Sequence, residues 1–566
     1  MKKVVKTKRA GPKAEHFLVS IWRILGSIGR VWLFQPDIRI NMILYGEVYR
    51  CDSFSFFSRH RLSVSLAKIF TCCKVYEYDM IIQNDWGVDM KEIIHFYHTN
   101  DWHSHLENWP KFLRYYQTQA DKHRSEGEAH FLFDIGDAVD RQHPLTEASQ
   151  GQNMMTLMNE IGVDVATIGN NEGIGSQHDV LDNLYEQADF PVVLGNIFDK
   201  ESGLPPKYTQ DYTMIQTNQG SRFAVFGMTA PFEISYSVVG WDPIDPLLSI
   251  ARVLKDIKAN ETFDGILLLS HLGLPADRQI AEQFPEILAI FGAHTHHVLP
   301  EGEWVGHTLL TGGGKYGQFM GHLTLEINKD EGHLYTPGKM ATDAQQANPI
   351  IEYARYFKLD EELIASDRIS AYDEDYNKVN RWLEEGESQL KNQIVGQLPI
   401  TLAADENHFS HLQYDTLLAM KAASGTDIAM INSGLFLQGL PAGPVSKYDL
   451  HKALPHPIRF MVVECTVSEY LDQIYPQITT LRPDLQTMPI KGSGFRGRIF
   501  GQLMVLDNVK LDQLAPDQPL KIITIDHLLY LPFFTELINK KHYLWGQPFI
   551  RELIADKIQQ ASSRDE

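Results

Sequence analysis

A chain of 566 residues is too long for one hydrophobic core, so at least two sizeable domains are expected. Its 43% hydrophobic and 22% charged content excludes a disordered or fibrous protein. The net charge of −21, from 51 basic and 72 acidic side chains, excludes a general partner of nucleic-acid polymers, which needs basic surface to displace counterions. Small anions remain eligible as substrates if bound cations draw them in. Cys51, Cys72, Cys73 and Cys465 form no CxxC pair, so neither a disulfide framework nor a thiolate zinc site is readable. Any metal must be held by His, Asp and Asn.

Residues 1–89 stand apart, with 14 Lys/Arg against 8 Asp/Glu, three of the four cysteines and no sustained period. The apolar stretch from Phe17 to Phe34 is broken by Arg23, Arg30 and two glycines. It falls short of the roughly 18 to 20 apolar residues of a membrane span, so no membrane association is expected. Met90 opens the first well-patterned strand, so translation is expected to begin there and residues 1–89 to be a disordered or mis-annotated extension. The cytoplasm then follows as the location, with export or the cell surface as the alternative if the extension is genuine.

From Met90 a short apolar strand, a polar turn and an amphipathic helix alternate, the pattern of a layered α/β domain. Strands are expected at Ile93–His98, His130–Ile135, Asp164–Ile168, Ile266–Leu269 and Ile287–Phe291. Trp109, Phe112, Leu113 and Tyr116 recur at helical spacing and read as core. Residues 90–341 form the first domain on this reading. Residues 342–392 are a connector with a charged helix from Asp373 to Asn392, and 393–566 a second α/β domain.

Five segments place polar groups just after a strand: Asp101-Trp102-His103, Gly136-Asp137, Gly169-Asn170-Asn171-Glu172, Ser270-His271 and Gly292-Ala293-His294-Thr295-His296. Strand ends on one edge of a sheet converge, and ligands of open α/β sheets bind at the carboxyl edge. The implied site offers carboxylate, imidazole and amide donors, which suit borderline or hard divalent ions. A lone Gly-Asp is usually a turn and a surface His-x-His usually solvated; the ordered set carries the signal.

That set, from Met90 to Asn328, resembles the calcineurin-like metallophosphoesterases, and the chain as a whole resembles the bacterial 5'-nucleotidase and 2',3'-cyclic phosphodiesterase family, in a cytoplasmic Gram-positive branch with a Gly-Asn-Asn-Glu motif. The resemblance implies a four-layer α/β/β/α domain followed by a C-terminal α/β domain that binds substrate. It implies two divalent ions, with manganese, zinc, cobalt, iron and magnesium all eligible. Asp101, His103 and His296 would hold one, Asn170, His271 and His294 the other, and Asp137 would bridge them. Nucleotides would be hydrolysed by in-line attack of a hydroxide held between the ions. The alternatives are a pyrophosphatase acting on nucleotide sugars or dinucleotides, and a nucleotide- and metal-binding protein without turnover.

The departures from the family bear on catalysis. Where relatives carry a catalytic His and Asp in Gly-Asn-His-Glu-Phe-Asp, this chain has Asn171 and Ile174, so Asn171 is the candidate contact to the phosphoryl group but cannot deliver a proton. Arg141, His143 and His178 lie nearby in sequence and read first as ordinary loop residues. In the second domain Asn432, Gly434 and His456 match substrate-binding positions loosely, Leu437 replaces an expected arginine, and Phe495 with Arg496 in a Gly-rich turn is a substitute for base stacking and phosphate contact.

Overall fold

The computed structural model describes residues 40–44, 47–51, 91–328, 357–405, 408, 410–480, 487, 500–531, 534–546 and 549–563. The chain divides into two units, Met1–Met90 and Lys91–Glu566. In the first, Ile40–Leu44 pairs antiparallel with Glu47–Cys51; the rest of the expected extension lies outside the described residues.

The second unit begins with Lys91–Thr99, buried on both faces, as a strand covered by layers on either side must be. It pairs parallel with Ala129–Asp134, then Val165–Ala166, Val192–Val193 and Thr209–Gln210, and antiparallel with Phe319–Asn328. A second sheet runs through Arg222–Thr229, Gly265–His271, Ala289–Gly292 and Thr308–Gly312, all parallel, with antiparallel edges. Phe96, Phe133 and Val165 of the first sheet share one core with Phe223, Leu267 and Phe291 of the second, so the sheets pack face to face. Helices Trp109–Glu126 and Gln152–Ile161 cover the outer face of one, and Pro246–Asn260 and Leu274–Gln283 the other, completing the α/β/β/α layers.

The strand expected over Asp164–Ile168 shortens to Val165–Ala166, because its flanks are held otherwise: the Asp164 carboxylate accepts from Leu132 N at 2.8 Å and the Thr167 hydroxyl donates to Val193 O at 2.8 Å. Within the stretch read as a connector, Phe357–Ala365 forms the edge of the first sheet before the helix Asp373–Lys391. Lys358, Asp360 and Glu362 are exposed but Glu361 is buried, so four charged residues mask the strand's period. Among the described residues the C-terminal sheet has five strands, in the order Leu503–Leu506, Ile428–Asn432, Pro519–Ile525, Phe460–Thr466 and Lys541–Trp545, with helices His411–Ser424 and Ile550–Ser562 packed on it. No helix among the described residues is long and apolar enough to cross a membrane.

Candidate metal centre

The parallel strands of both sheets end at one edge, and the loops leaving them carry the seven residues predicted as ligands. Five of these, Asp101, His103, Asp137, His294 and His296, have positive φ, a left-handed conformation that costs energy in non-glycine residues and clusters at functional sites. The loops are tied to one another by backbone hydrogen bonds: Asp101 N to Gly136 O at 3.0 Å and His103 N to Asp137 O at 2.8 Å. Two glycines permit the close approach. A Cβ on Gly169 would stand 2.0 Å from Asp137 Oδ1, and one on Gly136, at φ +84°, would stand 2.2 Å from Gly169 N.

Each carboxylate spends one oxygen on the scaffold and turns the other inward. Asp101 Oδ2 accepts from Asn100 Nδ2 at 2.7 Å and His294 N at 3.1 Å, while Oδ1 lies 3.3 Å from His296 Nε2 and 3.7 Å from His103 Nε2. Asp137 Oδ1 accepts from Asn171 N at 2.7 Å, and Oδ2 lies 3.3 Å from His271 Nε2 and 3.7 Å from His103 Nε2. His271 Nδ1 donates to Ile135 O at 2.7 Å, which directs the Nε2 lone pair into the site. His103 Nε2 faces His296 Nε2 at 3.2 Å. The His294 ring centroid lies 5.3 Å from that of His271.

Electrostatically the site has too many like groups. Burial would raise Asp101, but the facing rings of His103 and His296 and the charge of His271 hold it well below the carboxylate range. Burial would depress His271, yet Asp137 and Asp101 lift it to about 10. Burial and the His271 charge push His294 down to about 4. Among the described residues, Asp101 with His103 and His296, and Asp101 with Asp137 and His271, each bring donor atoms within 4.8 Å of one another. Asp101 Oδ1, Asn170 Oδ1 and His271 Nε2 are buried without a hydrogen-bond partner. A buried acceptor with no donor is costly, and cations in the cradle would satisfy all three, so the donor set fits divalent metal.

Asn171 sits beside the centre, its amide 2.8 Å from His103 Nδ1. The atom that faces the ring is Asn171 Nδ2, and Asn171 Oδ1 accepts from Asn170 Nδ2 at 3.1 Å, which turns Asn170 Oδ1 away from the amide pair. Glu172, to which the sequence reading gave no role, is fully buried and accepts from Gly169 N at 2.9 Å, Asp137 N at 3.0 Å and Val139 N at 2.8 Å. Burial and the Asp137 charge push its carboxyl up to about 7. Its place after Gly-Asn-x was the available signal. The nearby Arg141, His143 and His178 are occupied. Arg141 makes two bonds to Glu147, at 2.8 and 3.0 Å, and His143 caps a helix by accepting from Leu145 N. His178 stacks on Trp241 at 3.9 Å and lies 2.9 Å from Asp199 Oδ2.

The C-terminal candidates separate. Asn432 Nδ2 donates to Phe500 O at 2.7 Å and Gly434 N reaches the same carbonyl at 3.2 Å, so both hold a turn, while Asn432 Oδ1 is buried without a partner. His456 is buried next to Pro457, whose ring meets the position of Gly175 in the helix that follows Asn170. Arg459 donates to Ile174 O and Ser176 O at 3.0 and 3.1 Å, and His451 Nε2 to Arg141 O at 2.8 Å, contacts without a sequence signal. Phe495 and Arg496 lie outside the described residues.

No model of a known protein family matches the chain. It is 36% identical over 443 residues to the uncharacterized metallophosphoesterase YunD of Bacillus subtilis, covering 77% of this chain and 88% of that one. It is 24% identical over 448 residues to a 5'-nucleotidase of Vibrio parahaemolyticus, covering 71% of this chain and 77% of that protein. Among solved structures, a candidate 5'-nucleotidase of Staphylococcus aureus superposes with a TM-score of 0.55 at 15% identity, over 83% of this chain and 97% of the other, and shares the fold. Layered sheets with acidic and histidine loops at one edge define a metal-dependent phosphoric ester hydrolase. The chain belongs to the metallophosphoesterase family.

Proposed function

We propose that this chain hydrolyses small nucleotides with two divalent ions, Asp101, His103 and His296 holding one, Asn170, His271 and His294 the other, and Asp137 shared. The observation that carries the reading is the convergence of three unpartnered buried atoms, Asp101 Oδ1, Asn170 Oδ1 and His271 Nε2, among the histidines of five strand-end loops. Such ions, when bound, activate water and clamp phosphoryl oxygens. The chain's own residues do the positioning. Asn100 and the His294 amide turn Asp101, Asn171 N turns Asp137, Ile135 O fixes the His271 tautomer, and the Asn171 side chain holds His103. The likeness to a 5'-nucleotidase over most of its length supports a nucleotide as substrate. Asn432, Gly434 and His456 are the C-terminal candidates to contact it.

The engagement of Asn171 with His103 favours a particular substrate class. An amide cannot protonate a leaving group, and general acid help is worth about 100- to 10,000-fold. A nucleoside alkoxide needs that help, whereas a phosphate leaving from an anhydride is already a weak base. We therefore read the substrate as a phosphoanhydride, a dinucleotide or nucleotide sugar, ahead of a simple monophosphate.

The test uses protein stripped with chelator, resupplied with manganese or zinc, and assayed on AMP, 2',3'-cyclic AMP, a dinucleotide and a nucleotide sugar. Hydrolysis returns only with metal, and kcat/KM is higher for the anhydrides. A preference for AMP would overturn the substrate reading; no hydrolysis of any of the four with either metal would overturn the function.

A further inference from the structure

A second set of histidines lies on the outer face of the first sheet, beneath the helix Trp109–Glu126. His95 comes from the first strand, His322 from the strand antiparallel to it and His123 from the last turn of the helix. Sheet pairing sets Tyr97 opposite His322 and His95 opposite Thr324, so 95, 97 and 322 share a face. His95 precedes Asp101 by six residues, about 20 Å along an extended chain, so the cluster stands well away from the strand ends of the catalytic edge.

Its hydrogen bonds leave one charge unaccounted for. His95 Nε2 lies 3.0 Å from Glu128 Oε2, His95 Nδ1 lies 2.9 Å from His322 Nε2, and His322 Nδ1 lies 2.9 Å from Glu362 Oε1. The chain is carboxylate, imidazole, imidazole, carboxylate. Its three contacts need three protons, but two neutral imidazoles supply two. If each ring gives its proton to its own carboxylate, as metal-bound histidines do with their outer nitrogen, then His95 Nδ1 and His322 Nε2 face each other as two lone pairs, with the Thr324 hydroxyl 3.5 Å from His322 Nε2. Facing ring nitrogens also occur at His103 and His296 in the catalytic centre, where His103 Nδ1 is held from outside by the Asn171 amide. His123 stacks on His95 at 3.7 Å, with Nδ1 3.4 Å from Glu128 Oε2 and Nε2 3.0 Å from the Tyr97 hydroxyl, and the three histidines each bring a nitrogen within 4.8 Å of the others. Burial and neighbouring imidazoles hold all three below the usual histidine range, His123 at about 4, which favours neutral rings.

We propose that His95, His123 and His322 form a second metal site, separate from the catalytic centre, that takes one borderline divalent transition ion such as zinc. The imidazole donors suit zinc, nickel or copper over magnesium. Glu128 and Glu362 orient the rings, and Glu362, two-thirds exposed, opens a path from solvent. An ion there would fasten the end of the helix to the sheet that carries Asp101.

The test measures metal content and thermal unfolding of the full chain, stripped and then titrated with zinc at pH 7.5. Wild type binds one equivalent more than His322→Asn, and Asp137→Ala, which disrupts the catalytic centre, keeps that equivalent. His322→Asn retains hydrolysis with manganese, and zinc raises its Tm less than that of wild type. His95→Gln gives the same deficit; should it fail to fold, His322→Asn at the more accessible rim decides alone. Equal zinc content in wild type and His322→Asn would overturn the site and leave a network that binds only a proton.

Discussion

Two of the places in the molecule that bury charge do opposite things with it. Behind the catalytic edge, Glu147 sits between Arg141, at 2.8 Å, and Arg551, at 2.7 Å; the Arg551 Nη1 donates on to Leu454 O, and Arg459 lies over the Phe549 ring at 4.2 Å. Burial alone would raise Glu147, but Arg551 and Arg141 outweigh it and hold the carboxyl at about 2. At the catalytic edge, Asp101, Asp137 and four histidines crowd together with strained backbone and orphaned acceptors. Charge that is matched pair by pair fastens two parts of a chain. Charge left in excess, at a cost in strain, marks a place for something that is not protein.

The largest effect that tests this contrast is loss of the shared carboxylate. Asp137→Ala removes hydrolysis and lowers metal content together, a loss well beyond the roughly 100-fold that an outer partner costs, measured by phosphate release and metal analysis. The fold persists, because Asp137 is a source of excess charge. Full activity with unchanged metal content would refute the assignment.

Glu147→Gln should show the reverse pattern. Removing one partner of a buried set leaves Arg141 and Arg551 uncompensated and costs about 3–5 kcal/mol of stability, read from denaturant unfolding, with the metal sites intact. Because the folded carboxyl is depressed, its contribution is fully present above the ordinary value of 4.5 and is lost as pH falls toward about 2. A wild-type stability flat across that window would break the comparison. Asn171→Ala comes next, weakening metal affinity about 10- to 100-fold through the freed His103 ring, as seen in metal titration of the stripped protein. Smallest is His178→Ala, which removes a side chain that stacks on Trp241 and bonds Asp199 but supplies no candidate ligand; about 1 kcal/mol of stability goes and kcat is unchanged.

The candidate metal centre was legible because its chemistry is local: Asp101, Asp137, Asn170, His271 and His294, the proposed ligands, each lie at the end of their own strand or within four residues of it. The alternation of strand and helix likewise announced the layers. Less was visible where order depends on partners. Phe357–Ala365 reads as charged and irregular because an edge strand owes its place to the neighbour it pairs with. The role of Asn171 was legible only as a missing acid, since its contact with His103 spans 68 residues. In the C-terminal part, Asn432 and Gly434 were recognisable as a turn, but not that both would be spent on the Phe500 carbonyl.

By itself, then, the sequence determined which groups this protein offers to metal and the order of the strands that deliver them, because backbone period and side-chain chemistry are properties of neighbours along the chain. Tertiary structure alone decided which oxygen of each carboxylate faces inward, which histidine nitrogen carries the proton, and that His95, His123 and His322 meet at all. Those outcomes rest on sheet register and helix packing, where one residue of slip would turn every side chain to the other face.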